Sequence, residues 1–312
     1  MSMLSRVAEN IYWMARCIER AENTARVINV NTNLILDLPR SANVGWEPLI
    51  EITGSEKLFY EHYDSPDEKN VLRFMIADLE NPGSIVGSLQ NARENARTIR
   101  DIIPRETWER INDLFITSKK HAQSGVARKN RYQYLQSVIL GAQTITGQLA
   151  GTMIHDEGYD FLRIGRNLER ADMTTRIIDV RSGGLLENEH ENLTPYENIQ
   201  WMSVLKSLTA YQMYRRTIQI RVRRPDVLNF LFKERNFPRA FYHTLCEVES
   251  SLEHLPRNKD VKKKLKELQK FVLDVDPATL KQNDLHEFID TLQLKLSEIH
   301  NEISEVYFRT QT

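Results

Sequence analysis

The side chains best able to do chemistry in this sequence are arginines and glutamates that occur twice in the same order. The segment of residues 15–30 returns as residues 165–180, with a Glu-Arg-Ala core in both copies. A helix does not need these charged side chains for packing, so we expect both copies to perform a common task. The repeated charged residues are Arg16, Glu19, Arg20, Arg26, Arg166, Glu169, Arg170 and Arg176.

Two kinds of chemistry fit this repeated Glu-Arg step. Because the planar arginine fork binds a carboxylate with two parallel hydrogen bonds, each glutamate could accept a guanidinium from the other copy. Such crossed ion pairs would fix the register of two long helices. Alternatively, the arginines converge on a cleft and hold the carboxylate or phosphate of a ligand, while the glutamates orient them. The residues alone leave both alternatives open.

Catalysis needs more than this step provides. A glutamate serves as a general base when its pKa is raised, and no histidine, serine or cysteine accompanies the step at a spacing that completes a catalytic set. The local motifs of zinc proteases, P-loop proteins, dinucleotide-binding folds and hydrolase elbows do not occur in the sequence. The sequence therefore favours a protein that is not an enzyme, names no catalytic residue and predicts no cofactor.

Two further kinds of site remain as alternatives. Arg215, Arg216 and Arg221 lie in an arginine-rich segment near the end of a predicted helix and are secondary candidates for an anion site. The same residues would also complement the negative end of the helix dipole. Long helices with many acidic residues are also compatible with a metal–carboxylate bundle. Such bundles use Glu-x-x-His, which the repeated segment lacks, so no metal ligand is predicted.

The elements that must position these residues are helices. Apolar residues recur with helical spacing from Leu4 to Ile35, which predicts one long helix over residues 3–38. No stretch alternates long enough to predict a strand. The fold class is therefore all-α, with long antiparallel helices packed in bundles. The other predicted helices cover residues 46–62, 67–80, 84–103, 105–123, 129–154, 157–182, 196–223, 226–235, 238–255, 258–273 and 277–309.

Similarity between the two halves extends beyond the charged step. A repeat of about 155 residues is too long for a solenoid. We therefore predict an internal duplication, with repeats over residues 1–155 and 156–312 related by a pseudo-twofold axis. No linker interrupts the chain, which predicts a single continuous body over residues 1–312. The further matching pairs are Trp46 with Trp201, residues 71–74 with residues 227–230, and Pro82 with Pro238.

Charge and cysteine content narrow the class of protein. The chain has 42 basic and 43 acidic side chains and a formal net charge of −1, so no long-range field would gather nucleic acid or an anionic membrane. Its two cysteines lack C-x-x-C spacing and suit a reducing compartment. Neither a signal-peptide core nor an apolar span of about 18 residues occurs. We expect a cytoplasmic protein that binds neither nucleic acid nor membranes.

The repeated core at residues 19–22 and 169–172 resembles the bacterial Alpha-E family, an α-helical domain with a Glu-Arg motif. The segments at residues 91–97, 210–216 and 237–240 also resemble this family, in the same order and spacing. The resemblance therefore covers essentially the whole chain. Carried over by position, the family motif falls on Glu19, Arg20, Glu169 and Arg170.

This resemblance implies a biological context but no reaction. Genes of the family are expected beside those for a circularly permuted ATP-grasp protein and a transglutaminase-like peptidase, and the ATP-grasp module is sometimes fused to the Alpha-E domain. The leading expectation is an accessory protein of peptide synthesis or modification that binds an ATP-grasp ligase or presents a substrate to it. The alternatives are an enzyme or ligand-binding protein that uses the Glu-Arg step, and a metal–carboxylate bundle.

Overall fold

The computed structural model of the chain describes residues 3–37, 45–183, 194–218 and 221–309. Within these ranges the fold is all-α, with fourteen α-helices and no strand. The first seven are α1 (Ser5–Asp37), α2 (Pro48–Thr53), α3 (Glu56–His62), α4 (Glu68–Ile76), α5 (Ile85–Thr98), α6 (Arg105–Val126) and α7 (Arg131–Thr152). The others are α8 (Glu157–Gly183), α9 (Thr194–Ser207), α10 (Tyr211–Thr217), α11 (Arg224–Lys233), α12 (Phe241–Leu252), α13 (Lys259–Asp274) and α14 (Gln282–Ile303), which a π-helical segment, Ser304–Phe308, follows.

Helices α1 and α8 form the central pair of the structure. Helix α1 packs against α5, α7, α8 and α9, and helix α8 packs against α1, α12 and α14. The apolar positions Ile11, Met14 and Ile28 of α1 are fully removed from solvent. With 33 residues, α1 extends about 50 Å. Both copies of the Glu-Arg step therefore lie on helices at the centre of the molecule.

The two central helices run in the same direction. Near one end, the backbone N of Met3 donates to Glu157 Oε2 at 3.2 Å, and further along both helices Arg16 Nε donates to Glu169 Oε2 at 2.8 Å. The contacts thus advance together along α1 and α8. Helices α6 and α7, which a short turn joins, instead form an antiparallel pair. The shared direction of α1 and α8 brings the two Glu-Arg steps to the same level.

A glycine permits the close approach of α1 and α8. Gly165 of α8 faces the backbone carbonyl group of Tyr12, and a Cβ atom added to Gly165 would collide with that carbonyl. Tyr12 itself is fully buried. The contact lies about one helical turn before the Glu-Arg steps and limits how far apart the charged side chains can be.

Two of the predicted helices are each divided in two. Residues 46–62 form α2 and α3, because Gly54 adopts a left-handed conformation (φ 62°) that caps the end of α2. Residues 196–223 contain α9 and α10, and Thr209 between these two helices also has a positive φ of 54°. Apolar spacing continues through both breaks, so periodicity did not reveal them.

None of the described helices combines the length and the apolar character that a membrane span requires. Helix α5 covers α1 in the way that α12 covers α8. The internal duplication and the single continuous body both stay predictions.

The close approach of α1 and α8 can be tested with two glycines. We expect Gly165→Ala to lower the free energy of unfolding by about 1–3 kcal/mol, because the new methyl group forces the two helices apart. Gly147, in the exposed face of α7, is the matched control, since no atom lies within 4 Å of an added Cβ. Gly147→Ala should instead stabilise by about 0.5–1 kcal/mol. Urea denaturation measures both, and equal effects would contradict the close contact.

Candidate functional site

Glu169 of α8 lies at the centre of a buried ion-pair cluster. Arg20 of α1 binds its carboxylate in bidentate fashion, from Nε to Oε1 at 2.6 Å and from Nη2 to Oε2 at 2.9 Å. Arg16, one turn earlier on α1, donates from Nε to Oε2 at 2.8 Å. Only 1% of Glu169 is exposed. The opposite helix therefore engages both of its carboxylate oxygens.

Glu19 of α1 is buried to a similar degree but is bound differently. Arg170 of α8 places its Nε 3.0 Å from Glu19 Oε1, and Arg239, two residues before α12, places its Nη1 2.8 Å from the same oxygen. Neither approach has the angles of a hydrogen bond. Arg239 directs its hydrogen bonds to Asn23 Oδ1 (2.6 Å) and Glu22 Oε1 (3.1 Å). The pairing of Glu19 is thus mainly one of charge.

Both buried glutamates stay ionised. Burial alone would raise the pKa of Glu169, but the charges of Arg20 and Arg16 outweigh burial and hold this pKa at about 2. Burial opposes the ionisation of Glu19 as well, and the charge of Arg170 helps to lower its pKa below the ordinary value. A carboxylate that guanidinium groups surround is a weak proton acceptor at neutral pH. This geometry therefore argues against either glutamate as a general base.

Two of the repeated arginines pair within their own helix. Arg26 Nε donates to Glu22 Oε1 at 2.8 Å, and Arg176 Nε donates to Asp172 Oδ2 at 2.9 Å. Both pairs have the i, i+4 spacing that a helix brings together. They extend the cluster by one turn on each central helix.

The two sets of ion pairs differ at Arg166, the repeat counterpart of Arg16. Its Nε is buried and has no hydrogen-bond partner within the described part of the chain. Burial, with the nearby charge of Arg170, lowers the pKa of Arg166. Glu19 receives its second guanidinium from Arg239 instead. Sequence analysis did not assign Arg239 to the site, although residues 237–240 were among the segments that resemble the family.

A chain of polar contacts leads from Glu169 to α14. Arg16 donates from Nη1 to the Tyr12 hydroxyl at 3.3 Å, and this hydroxyl lies 2.8 Å from Nδ1 of His300. The Arg16 guanidinium also lies 5.1 Å from the ring centroid of Trp13. Burial and the charge of Arg16 lower the pKa of His300 to about 4, so its imidazole is neutral at pH 7. Sequence analysis missed His300, which no local motif marks.

A cavity of about 560 Å³ opens beside Glu169, where α1, α2, α3 and α8 meet. Its volume lies in the range of small-molecule sites. Thr24 of α1 also lines it, and the buried hydroxyl of this residue has no hydrogen-bond partner among the described residues. The cavity thus offers a small ligand both signs of charge and an unused hydroxyl. Its charged lining residues are Arg20, Lys57, Arg176, Glu61, Glu169 and Asp172.

The secondary anion candidates take no part in this cluster. Arg215 and Arg216 are exposed in the last turn of α10, and Arg221 is exposed beyond that helix. Cations in the last turn of a helix complement its dipole. The structure therefore gives these three arginines a solvated position and no enclosed site.

The residues most suited to a metal lie outside the Glu-Arg step. Within the described ranges, one group of three potential ligands occurs, namely Asp179, His286 and Asp290. His286 places Nδ1 2.8 Å from Asp179 Oδ1 and Nε2 3.6 Å from Asp290 Oδ2. The hydrogen bond and charge of Asp179 raise the pKa of His286. This arrangement favours an imidazolium in ion pairs over a neutral metal ligand.

The Glu169 cluster should contribute strongly to stability. We expect Glu169→Gln to lower the free energy of unfolding by about 3–5 kcal/mol, because Arg16 and Arg20 lose the charge that compensates them. The exposed pair of Arg105 and Glu109 on α6 provides the matched control, and Glu109→Gln should cost less than about 1 kcal/mol. Chemical denaturation compares the two variants. A loss in Glu169→Gln no greater than in the control would show that the buried pair is not required.

Acid should destabilise the protein through the same carboxylates. The folded-state pKa of Glu169 is about 2, below its ordinary value of 4.5, so the unfolded state binds its proton first as the pH falls. The stabilisation is complete above that ordinary value and is lost as the pH falls toward about 2. Between these two pH values, the melting temperature of Glu169→Gln should therefore depend less steeply on pH than that of the wild-type protein. Parallel profiles would be the contrary result.

Comparison with known proteins agrees with the repeated charged core. The chain matches, over residues 3–308, the model of the Alpha-E family, described as a predicted alpha-helical domain with a conserved ER motif. Uncharacterised proteins of Mycobacterium bovis and Mycobacterium tuberculosis are 26% identical over 191 residues, which cover 55% of this chain and 22% of each relative. The chain thus spans about a fifth of the length of these curated relatives. No solved structure matches it. Because the family match extends over nearly the whole sequence, the chain belongs to the Alpha-E family.

Proposed function

We propose that the protein is a non-catalytic accessory protein that holds a small charged ligand in the cavity beside Glu169 and presents it to an ATP-grasp ligase. The observation that carries this proposal is the position of the cavity. Its wall includes Arg20 and Glu169, which the buried cluster holds in fixed orientations. Side chains that are already ordered lose little entropy when they bind a ligand.

The protonation states of the nearby groups support binding over catalysis. Glu169 is ionised and occupied by two guanidinium groups. Cys17, one turn from Arg20, is 4% exposed, and burial raises the pKa of its thiol to about 11. A thiol in that state is a poor nucleophile. Neither group is suited to activate a ligand, and this step is left to a partner.

The charge of the wall supports a polar ligand. Arg20, Lys57 and Arg176 face the cavity together with an equal number of carboxylates. Charges in a partly enclosed site interact more strongly with a ligand than the same charges in bulk water. A ligand with ionised groups would therefore gain more from this wall than an apolar molecule of the same size.

The family resemblance supports the choice of partner. An ATP-grasp ligase would supply the activation chemistry that the residues around the cavity lack, and a transglutaminase-like protein is the second proposed partner. We place this assembly in the cytoplasm, where ATP is available and where two free cysteines remain reduced. The proposal involves neither nucleic acid nor a membrane.

A ligand panel tests the cavity directly. We expect at least one amino acid, dipeptide, dicarboxylate or guanidinium compound to stabilise the wild-type protein in thermal unfolding, by about 2.7 kcal/mol when its concentration is 100 times its dissociation constant. Ser55→Trp, which adds bulk to the cavity wall, should abolish the shift. Ser137→Trp on the exposed face of α7 is the matched control and should retain it.

The same variants test the partner. The tagged wild-type chain and Ser137→Trp should co-purify with an ATP-grasp ligase of the same organism, and peptide product should form only when both proteins are present. Ser55→Trp should bind the ligase but yield less product. No association at micromolar concentration would refute the role of the ligase, and product formation by this chain alone would refute a non-catalytic role.

A further inference from the structure

The segments that lead into α5 and α12 differ at a position next to the central pair of helices. The segment that joins α4 to α5 contains Pro82 and Gly83, and the segment that joins α11 to α12 contains Pro238 and Arg239. Gly83 and Arg239 each lie two residues before the helix that covers α1 or α8. The proposed internal repeat therefore pairs a glycine in one half with an arginine in the other.

The Arg239 side chain fills the space beside the polar residues of α1. Arg239 is 6% exposed and lies against Glu19 (2.8 Å), Glu22 (3.1 Å) and Asn23 (2.6 Å) of α1. Its own backbone carbonyl accepts a hydrogen bond from Thr174 Oγ1 at 3.0 Å. One guanidinium thus donates hydrogen bonds to Asn23 and Glu22 and lies within ion-pair distance of Glu19, which helps to compensate the buried carboxylates of α1.

The equivalent place beside α8 has two corresponding carboxylates and no such side chain. Glu169 and Asp172 are the repeat counterparts of Glu19 and Glu22, whereas Met173 replaces Asn23, and all three α8 residues line the cavity. Gly83 lines it as well. Thr24, the counterpart of Thr174, is 1% exposed, and its hydroxyl has no hydrogen-bond partner in the described structure. The cavity therefore occupies the place that the Arg239 side chain fills in the other half.

We infer that the ligand of this cavity carries a guanidinium group, as arginine or an arginyl peptide does, and that this group binds where a counterpart of Arg239 would lie. This inference rests on the proposed function. Among the described residues, Asp172 provides a carboxylate that forms an ion pair with Arg176 of its own helix alone. Arg16 already pairs with Glu169. The guanidinium group of a ligand therefore needs one further carboxylate, and Glu61, which lines the cavity, can provide it.

The rest of such a ligand also finds complementary groups. Lys57 is an exposed cation in the cavity wall and can pair with the carboxylate of an arginine or of a C-terminal arginyl residue. The volume of about 560 Å³ accommodates a molecule of this size. A neutral isostere of the same shape would bring no positive charge to Glu61 and would leave Asp172 with Arg176 alone, so charge and not shape should decide binding.

Calorimetry with arginine and citrulline tests the inference, because the two molecules share a shape and differ in charge. We expect arginine and agmatine to bind at least about tenfold more tightly than citrulline. Asp172→Asn should reduce this preference about tenfold. A merely structural role of Asp172 would change the melting temperature and leave the arginine-to-citrulline ratio unaltered.

Substitution of Gly83 provides a second, independent test. Gly83 has no positive φ, and Gly83→Arg should place a guanidinium in the cavity, raise the melting temperature and abolish arginine binding. Gly83→Ala adds only the Cβ, 3.2 Å from Asn81 Oδ1, and should retain binding. Unchanged arginine affinity in a folded Gly83→Arg variant would overturn the inference.

The outcomes separate this inference from the proposed function. Suppose that succinate or inorganic phosphate binds, that Ser55→Trp abolishes this binding, and that no guanidinium compound binds. The cavity is then a ligand site, and the guanidinium assignment is wrong. If no compound of either charge binds and Ser55→Trp leaves product formation with the ligase unchanged, both proposals fall.

Discussion

The compensation of two buried carboxylates is the constraint on which this structure depends. The transfer of an ionised carboxylate out of water costs several kcal/mol, and only a close and well-placed opposite charge offsets this cost. Glu19 and Glu169 are nearly inaccessible, and each takes its principal guanidinium from the opposite central helix. If either helix slid by one turn, at least one charge would stay buried and unpaired. The ion pairs, together with the contact at Gly165, therefore fix the register and separation of α1 and α8.

The same interaction determines which chemistry the site can perform. Guanidinium groups that hold the carboxylates in the ionised state also remove them as proton acceptors. Arg16 connects Glu169 to the aromatic residues of α1, because it contacts Glu169, Tyr12 and Trp13 together. His300 completes this chain as a neutral partner of Tyr12. A network of this kind is suited to hold charges in place around a ligand, and poorly suited to the movement of protons that acid–base catalysis requires.

Sequence alone was sufficient for the parts of the structure that depend on local spacing. The long helix α1 followed from apolar periodicity, and crossed ion pairs between the two Glu-Arg steps were one of the two alternatives that the repeated residues left open. The breaks at Gly54 and Thr209 were not visible, since one residue with a positive φ changes no periodicity. Arg239 and His300 were missed for another reason. Arg239 lies 216 residues from Asn23 and His300 lies 288 residues from Tyr12, and no local pattern encodes such contacts.

The difference between the two Glu-Arg steps follows from how each carboxylate is compensated. Glu169 is saturated by two arginines from α1, whereas Arg166 leaves Glu19 short of a second guanidinium and Arg239 makes up that deficit from outside the central pair. The structure therefore packs closely around Arg239 beside Glu19. Beside Glu169, α1 supplies both guanidinium groups, and Gly83 lines an open space next to this ordered wall. The repeated motif is therefore enclosed by protein side chains around Glu19 and borders an open cavity beside Glu169.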